Sequence, residues 1–270
     1  MPDPDDALTT WSRLGGDLGR STIRVVLADI DGVMTGGEGA PTDPAVLQRL
    51  AAWNDAALTD PSMPAIALCT GRQAPYVDLF AQLTHAFLPC IFEHGAGMLE
   101  PRAFRFSFNS VLGPDPWRTV ARIREILDEP LVTSGRAFVQ PGKEATLTLY
   151  PLAGTTVAEV AVLARAALAE GGVDFRVTAN IRGVELRPPG IDKGAGARWL
   201  AEELGFGLER FAGVGDADDD LAFLELVGYP ATPANGSAAV QAKARYVATK
   251  PFGAGLLEIL DHLAAANRSG

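Results

Sequence analysis

The sequence is poor in several features, and each shortage excludes something. Two cysteines in 270 residues cannot staple a chain of this size, so a disulfide scaffold is excluded and a reducing compartment fits. Basic charge is short as well. There are 23 Lys and Arg against 33 Asp and Glu, a net charge of −10, which argues against nucleic-acid binding through phosphate contacts. No apolar run reaches the ~18 residues of a membrane-spanning helix. The opening stretch, MPDPDDALTTWSRLGG, is acidic and lacks the apolar h-region of a signal peptide. The expectation is a cytoplasmic protein with no membrane and no nucleic-acid partner. Hydrophobic residues make up 47% of the chain, enough for a real core, so disorder is excluded too.

Short apolar runs alternate with amphipathic stretches. Ile23–Ala28, Ala65–Cys69, Cys90–Phe92 and residues 211–214 and 245–248 read as buried strands. Asp43-Pro44 reads as a helix N-cap followed by proline at the first helical position, with Val46, Leu47, Leu50 and Trp53 as its apolar stripe. A second helix opens at Pro75 and turns Val77, Phe80 and Leu83 to one side. Further helices are expected at 193–204, 218–227 and near 254–265. Repeating strand–helix units predict an α/β fold with a parallel sheet covered on both faces. The middle of the chain reads differently. Half-buried strands at 104–108, 136–139, 146–150, 175–178 and 184–187, with helices near 116–128 and 156–170, predict a small α+β domain inserted in the first. The expected division is an N-terminal arm over 1–20, a core formed by 21–100 and 189–270, and an insert over 101–188. The insert carries 11 Lys and Arg against 9 Asp and Glu, whereas the remainder carries 12 against 24.

Four short segments carry chemistry, each at the end of a predicted strand or the start of a helix. Asp29-Ile30-Asp31-Gly32 follows the first strand. Ligands of open α/β sheets bind beyond the carboxyl ends of the strands, and two carboxylates there can hold Mg²⁺ or serve as nucleophile and general acid/base. Thr70-Gly71-Arg72 follows the second strand, where a hydroxyl and a glycine N–H can hold phosphate oxygens. Arg72 can contact substrate or pair with a nearby carboxylate. Lys193, one of only four lysines, falls in the first turn of a helix, an unfavourable place for a cation unless an anion meets it. Gly215-Asp216-Ala217-Asp218-Asp219-Asp220 packs four carboxylates into five residues, which repel unless solvated or bound to a cation.

In order and placement these segments resemble the haloacid dehalogenase superfamily of phosphatases, over roughly residues 23–265. The resemblance implies a Rossmann-like core. It implies Asp29 as nucleophile, Asp31 as general acid and base, and Thr70, Gly71 and Lys193 as binders of the transferring phosphoryl group. It further implies Mg²⁺ held by Asp29, the Asp31 carbonyl and Asp216, with Asp220 bound through water or supporting these ligands. Asp219 stands where relatives often have Asn. The placement of the insert between Thr70 and Lys193 resembles the C2-capped branch in its type-B form, shared by Cof-like, sucrose-phosphate and mannosyl-3-phosphoglycerate phosphatases. Glu93-His94-Gly95-Ala96 resembles that branch's ENGA segment, with His94 in place of Asn.

The expected function is a Mg²⁺-dependent phosphomonoesterase acting on a small phosphorylated metabolite, a sugar phosphate or glycosyl-phosphoglycerate, as a monomer or homodimer. The alternatives are a phosphomutase and a non-catalytic phosphosugar sensor. Candidate substrate contacts are Arg72 and His94 in the core and Lys143, Arg176, Asn180, Arg182, Glu185 and Arg187 in the insert. Asn180–Gly183 also reads as a hairpin turn, and Glu185 and Arg187, on one strand face by alternation, can pair with each other.

Overall fold

The computed structural model describes Trp11 and residues 22–269. The expected arm over 1–20 lies outside the described residues, apart from Trp11. That residue is buried, with its ring edge-on to Phe87 and Phe206 and under the Arg24 guanidinium. None of the described helices is long and apolar enough to cross a membrane.

The chain divides into two compact units, one running to Ser107 and resuming at Lys193, the other Phe108–Asp192. The first begins with β1 (Val25–Ala28), α1 (Pro44–Ala57), β2 (Ala65–Leu68), α2 (Ala74–Leu83), β3 (Cys90–Phe92), β4 (Gly97–Glu100) and β5 (Arg105–Phe108). The second carries α3 (Pro116–Leu127), β6 (Ala137–Val139), β7 (Leu147–Pro151), α4 (Val157–Glu170), β8 (Arg176–Ala179) and β9 (Val184–Arg187). The first then resumes with α5 (Lys193–Leu204), β10 (Phe211–Val214), α6 (Leu221–Leu224), β11 (Tyr229–Thr232), α7 (Ala238–Lys243), β12 (Tyr246–Val247) and α8 (Phe252–Ser269).

The main sheet has the order β12-β11-β10-β1-β2, all parallel. Strands β1, β2 and β10 read VVLA, AIAL and FAGV and are buried throughout, as continuous apolar runs covered on both faces must be. A parallel bridge between Cys69 and Ile91 leads to the small sheet β3-β4-β5. Strand β5 contains most of the 104–108 run expected in the insert. It instead follows β4, adjacent in sequence, into that sheet.

The second unit is an antiparallel sheet of order β6-β7-β9-β8 with α3 and α4 on its apolar face. Leu147, Leu149, Val184 and Leu186 meet Val120, Ile123, Val160 and Ala164 in a core of its own. Helix α4 starts with a reciprocal cap: Thr156 Oγ1 accepts from Glu159 N–H, and Thr156 N–H donates to the Glu159 carboxylate.

Local chemistry decides the details. Asp43 accepts from the Ala45 N–H and caps α1 ahead of Pro44, as expected. The buried stripe of α1 is Val46, Leu50, Ala51, Asn54 and Ala57, not the stripe ending in Trp53. Asn54 takes the central place because its amide completes the backbone of two other elements, donating to the Thr84 carbonyl at 2.8 Å and accepting from Ile66 N–H at 3.0 Å. Leu83, expected inside, is exposed at the end of α2, where Ala81 is buried instead. The expected helix 218–227 is one turn of 3-10 helix followed by the four residues of α6.

Replacing Asn54 by Leu strands a buried carbonyl and a buried N–H. Urea unfolding should show a loss of roughly 2–4 kcal/mol, with the transition still cooperative.

Candidate active site

Three parallel strands deliver the acidic and hydroxyl groups to one edge. Asp29 leaves β1 and donates its N–H to the Val214 carbonyl of β10. Thr70 lies two residues past β2, and Asp216 two residues past β10. Lys193 comes from the first turn of α5, facing this edge.

The Lys193 ammonium is buried and donates to Asp29 Oδ2 at 2.7 Å and Asp220 Oδ1 at 2.6 Å, with Asp219 Oδ2 at 3.8 Å. Burial alone would lower its affinity for a proton, but Asp220, Asp29 and Asp219 hold it well above the usual lysine range. Asp220 is fully buried. Its second oxygen accepts from Asp216 N–H at 2.8 Å and Ala217 N–H at 3.0 Å. It therefore fixes both the lysine and the loop that carries Asp216.

Carboxylate oxygens of Asp29, Asp216 and Asp220 all lie within 4.8 Å of one another. Burial pushes the Asp29 carboxyl up to about 7, with Lys193 opposing and Asp220 adding repulsion. Burial, then Asp220 and Asp29, raise Asp216 to about 7 as well. Asp216 Oδ1 is buried with no hydrogen-bond partner. Three carboxylates against one ammonium leave an excess of two negative charges when all are ionised. A buried oxygen without a donor and a deficit of two positive charges both fit a divalent, oxygen-preferring cation.

Gly32 makes this packing possible. Its φ is +82°, and a Cβ there would fall 2.1–2.4 Å from the Asp216 carboxylate. Two further residues escaped the sequence reading. Asn235, after β11, donates to the Gly32 carbonyl at 2.9 Å and reaches Asp216 Oδ2 at 3.5 Å, while accepting from Phe252 N–H at 2.7 Å. Ser237 N–H donates to the Asp216 carbonyl at 2.8 Å. The only sequence signal for them is the Pro-Ala-Asn-Gly turn at 233–236.

Asp31 meets Arg72 in a two-pronged pair, Nε to Oδ2 at 2.6 Å and Nη2 to Oδ1 at 2.9 Å. The guanidinium also stacks on Tyr76 at 4.7 Å. Of the two roles open to Arg72, the structure shows the carboxylate pairing. His94 is buried, its Nδ1 3.0 Å from Asp219 Oδ2. Thr70 is buried, and its Oγ1 accepts from Arg72 N–H at 3.3 Å. Cys69 lies behind the site, with burial pushing its thiol well above the usual range, which keeps it an unreactive thiol.

The candidates in the insert separate into two groups. Lys143 is buried and donates to Thr148 Oγ1 at 2.7 Å. Thr148 lies opposite Glu185 in register, and Glu185 alternates with Arg187 on the sheet face away from the apolar core. Arg176 lies opposite Arg187 on β8. Asn180 and Arg182 instead sit in the exposed hairpin turn, where Asn180 Oδ1 accepts from the N–H groups of Arg182 and Gly183 at 2.9 and 2.8 Å.

The sequence model of the haloacid dehalogenase-like hydrolases matches residues 174–260. A Thermoplasma acidophilum structure superposes with a TM-score of 0.70 at 17% identity, covering 90% of this chain and 98% of that one. The sucrose-phosphatase of Synechocystis sp. PCC6803, solved with sucrose and phosphate, gives a TM-score of 0.64 at 14% identity, covering 90% and 98%. The family model covers about a third of this chain, and both structures share its fold, a parallel-sheet core with an inserted α+β unit. Among curated relatives, the phosphoglycolate phosphatase of Methanothrix thermoacetophila is 41% identical over 31% of this chain. The match spans about 37% of that relative's length.

Gly32→Ala should push the Asp216 carboxylate aside and weaken divalent-cation binding at least tenfold by calorimetry. Asp29 and Asp216, raised to about 7 from 3.8, stabilise the metal-free fold through their protonated forms. That contribution is complete below about pH 4 and is lost as pH rises through about 7. The metal-free melting temperature should therefore fall between pH 5 and pH 8, and a bound divalent cation should raise it more at pH 8 than at pH 5.

Proposed function

We propose that the protein is a phosphatase that hydrolyses a small phosphate monoester through an aspartyl-phosphate, with Mg²⁺ as its metal. The observation that carries this reading is the buried Lys193 ammonium clamped between Asp29 and Asp220, beside the partnerless Asp216 oxygen. A site with such fixed charge suits a phosphoryl group in flight, because phosphoryl transfer depends mainly on positioning and charge stabilisation.

Asp29 Oδ attacks phosphorus, forming the acyl-phosphate bond as the ester P–O bond breaks. Asp31, in its protonated form, gives its proton to the leaving alkoxide. It then takes a proton from the water that attacks the acyl-phosphate, which releases inorganic phosphate and restores Asp29. Thr70 Oγ1, the Gly71 N–H and Lys193 hold the phosphoryl oxygens. Asp29, the Asp31 carbonyl and Asp216 would hold Mg²⁺, with Asp220 supporting them. When bound, the metal neutralises the carboxylates and the phosphoryl charge, so that anion can approach anion. Arg72 occupies both Asp31 oxygens, so the pair must part before Asp31 can reach the leaving oxygen.

Phosphoglycolate phosphatase, the name of the Methanothrix relative, favours 2-phosphoglycolate over a sugar phosphate as the substrate. The test is phosphate release from p-nitrophenyl phosphate, 2-phosphoglycolate and sucrose 6-phosphate, with Mg²⁺ and with EDTA. Wild-type protein should turn over 2-phosphoglycolate fastest and lose activity in EDTA. Asp29→Asn should lower kcat at least a thousandfold. A wild-type protein that binds phosphate yet releases none from any ester would overturn the phosphatase reading.

A further inference from the structure

The loop that carries Thr70 and Gly71 is joined to the turn Glu93–Gly95 by backbone hydrogen bonds. His94 N–H donates to the Thr70 carbonyl at 3.0 Å, and Glu93 N–H to the Arg72 carbonyl at 2.9 Å. That turn is strained. Glu93, His94 and Gly95 have φ of 48°, 59° and 98°, three consecutive left-handed residues of which two carry side chains. The conformation lays the imidazole directly on Gly71: a Cβ built there would be 2.4 Å from both His94 Cε1 and Nε2. The other edge of the ring, Nδ1, is 3.0 Å from Asp219 Oδ2, and the same oxygen is 3.8 Å from Lys193 Nζ. A carboxylate at Nδ1 assigns the proton to that nitrogen. Through Asp219, 125 residues away in sequence, the imidazole thus links the glycine of one candidate phosphoryl-binding segment to the lysine of another.

We infer that His94 and Asp219 form a single positioning unit that holds the Gly71 N–H and the Lys193 ammonium at a fixed separation to grip one phosphoryl group. Neither residue touches phosphorus. Asp219 fixes the ring, the ring fixes the Gly71 peptide, and Asp219 adds a third carboxylate to the Lys193 clamp. The unit selects for a tetrahedral oxyanion bound to both segments at once. This deepens the phosphatase reading and rests on it for the identity of the ligand, but its test does not require turnover.

The test is a double-substitution cycle with Asp219→Asn, His94→Asn and the two together. It is read by calorimetric binding of inorganic phosphate in Mg²⁺ and by kcat on p-nitrophenyl phosphate. Asparagine tolerates the left-handed backbone at position 94, and Asp219 is one-third exposed, so the fold should survive both changes. Unchanged melting temperatures would confirm this. Each single variant should bind phosphate at least fivefold more weakly and lose at least tenfold in kcat, and the double variant should be no worse than the weaker single. Losses that multiply in the double variant, or phosphate affinity within twofold of wild type in either single, would overturn the unit. So would a wild-type protein that binds no phosphate. If wild type binds phosphate without turnover, the phosphatase reading fails, and the affinity cycle alone still decides the pair.

Discussion

Everything at the candidate site depends on one buried ammonium. Lys193 lies at the start of a helix, where the backbone dipole disfavours a cation, and it is almost wholly removed from water. Each fact alone would count against it. Asp29 and Asp220, at 2.7 and 2.6 Å, reverse the balance, and in return the lysine lets two carboxylates share a dry space. Removing either side of such a clamp leaves an uncompensated charge in a low-dielectric interior, costing about 3–5 kcal/mol. The strand that leads into Asp29, the loop that carries Asp220 and the helix that begins with Lys193 are therefore held together by charge as well as by packing.

The sequence shows this arrangement where the signal is local. Strands β1, β2 and β10 are short apolar runs, and the chemistry follows each within a few residues. A buried strand gives itself away by its continuous hydrophobicity, and the topology of parallel sheets then says which end holds the ligand. The start of α1 is equally plain, because Asp-Pro carries both a cap and a fixed φ.

What escaped the sequence is non-local. Asn54 replaces Trp53 in the core of α1 because two backbone groups elsewhere need its amide, and no periodicity encodes that. Asn235 acts on Gly32 and Asp216 from 203 and 19 residues away. Arg72 had two defensible partners until the fold set its guanidinium against Asp31. The insert's candidates divide for the same reason. Strand alternation finds Glu185 and Arg187 on one face, but only the register shows Thr148 between Lys143 and Glu185.

The inserted unit keeps a hydrophobic core of its own, built from α3, α4 and its four strands and separate from the core around the parallel sheet. Two cores mean two separate tolerances to change. A substitution that loosens the insert need not weaken the sheet that carries Asp29 and Asp216. Descendants of this chain can therefore explore the insert's sequence widely while the acidic edge stays fixed, and a lineage can acquire a new preference without first rebuilding its chemistry.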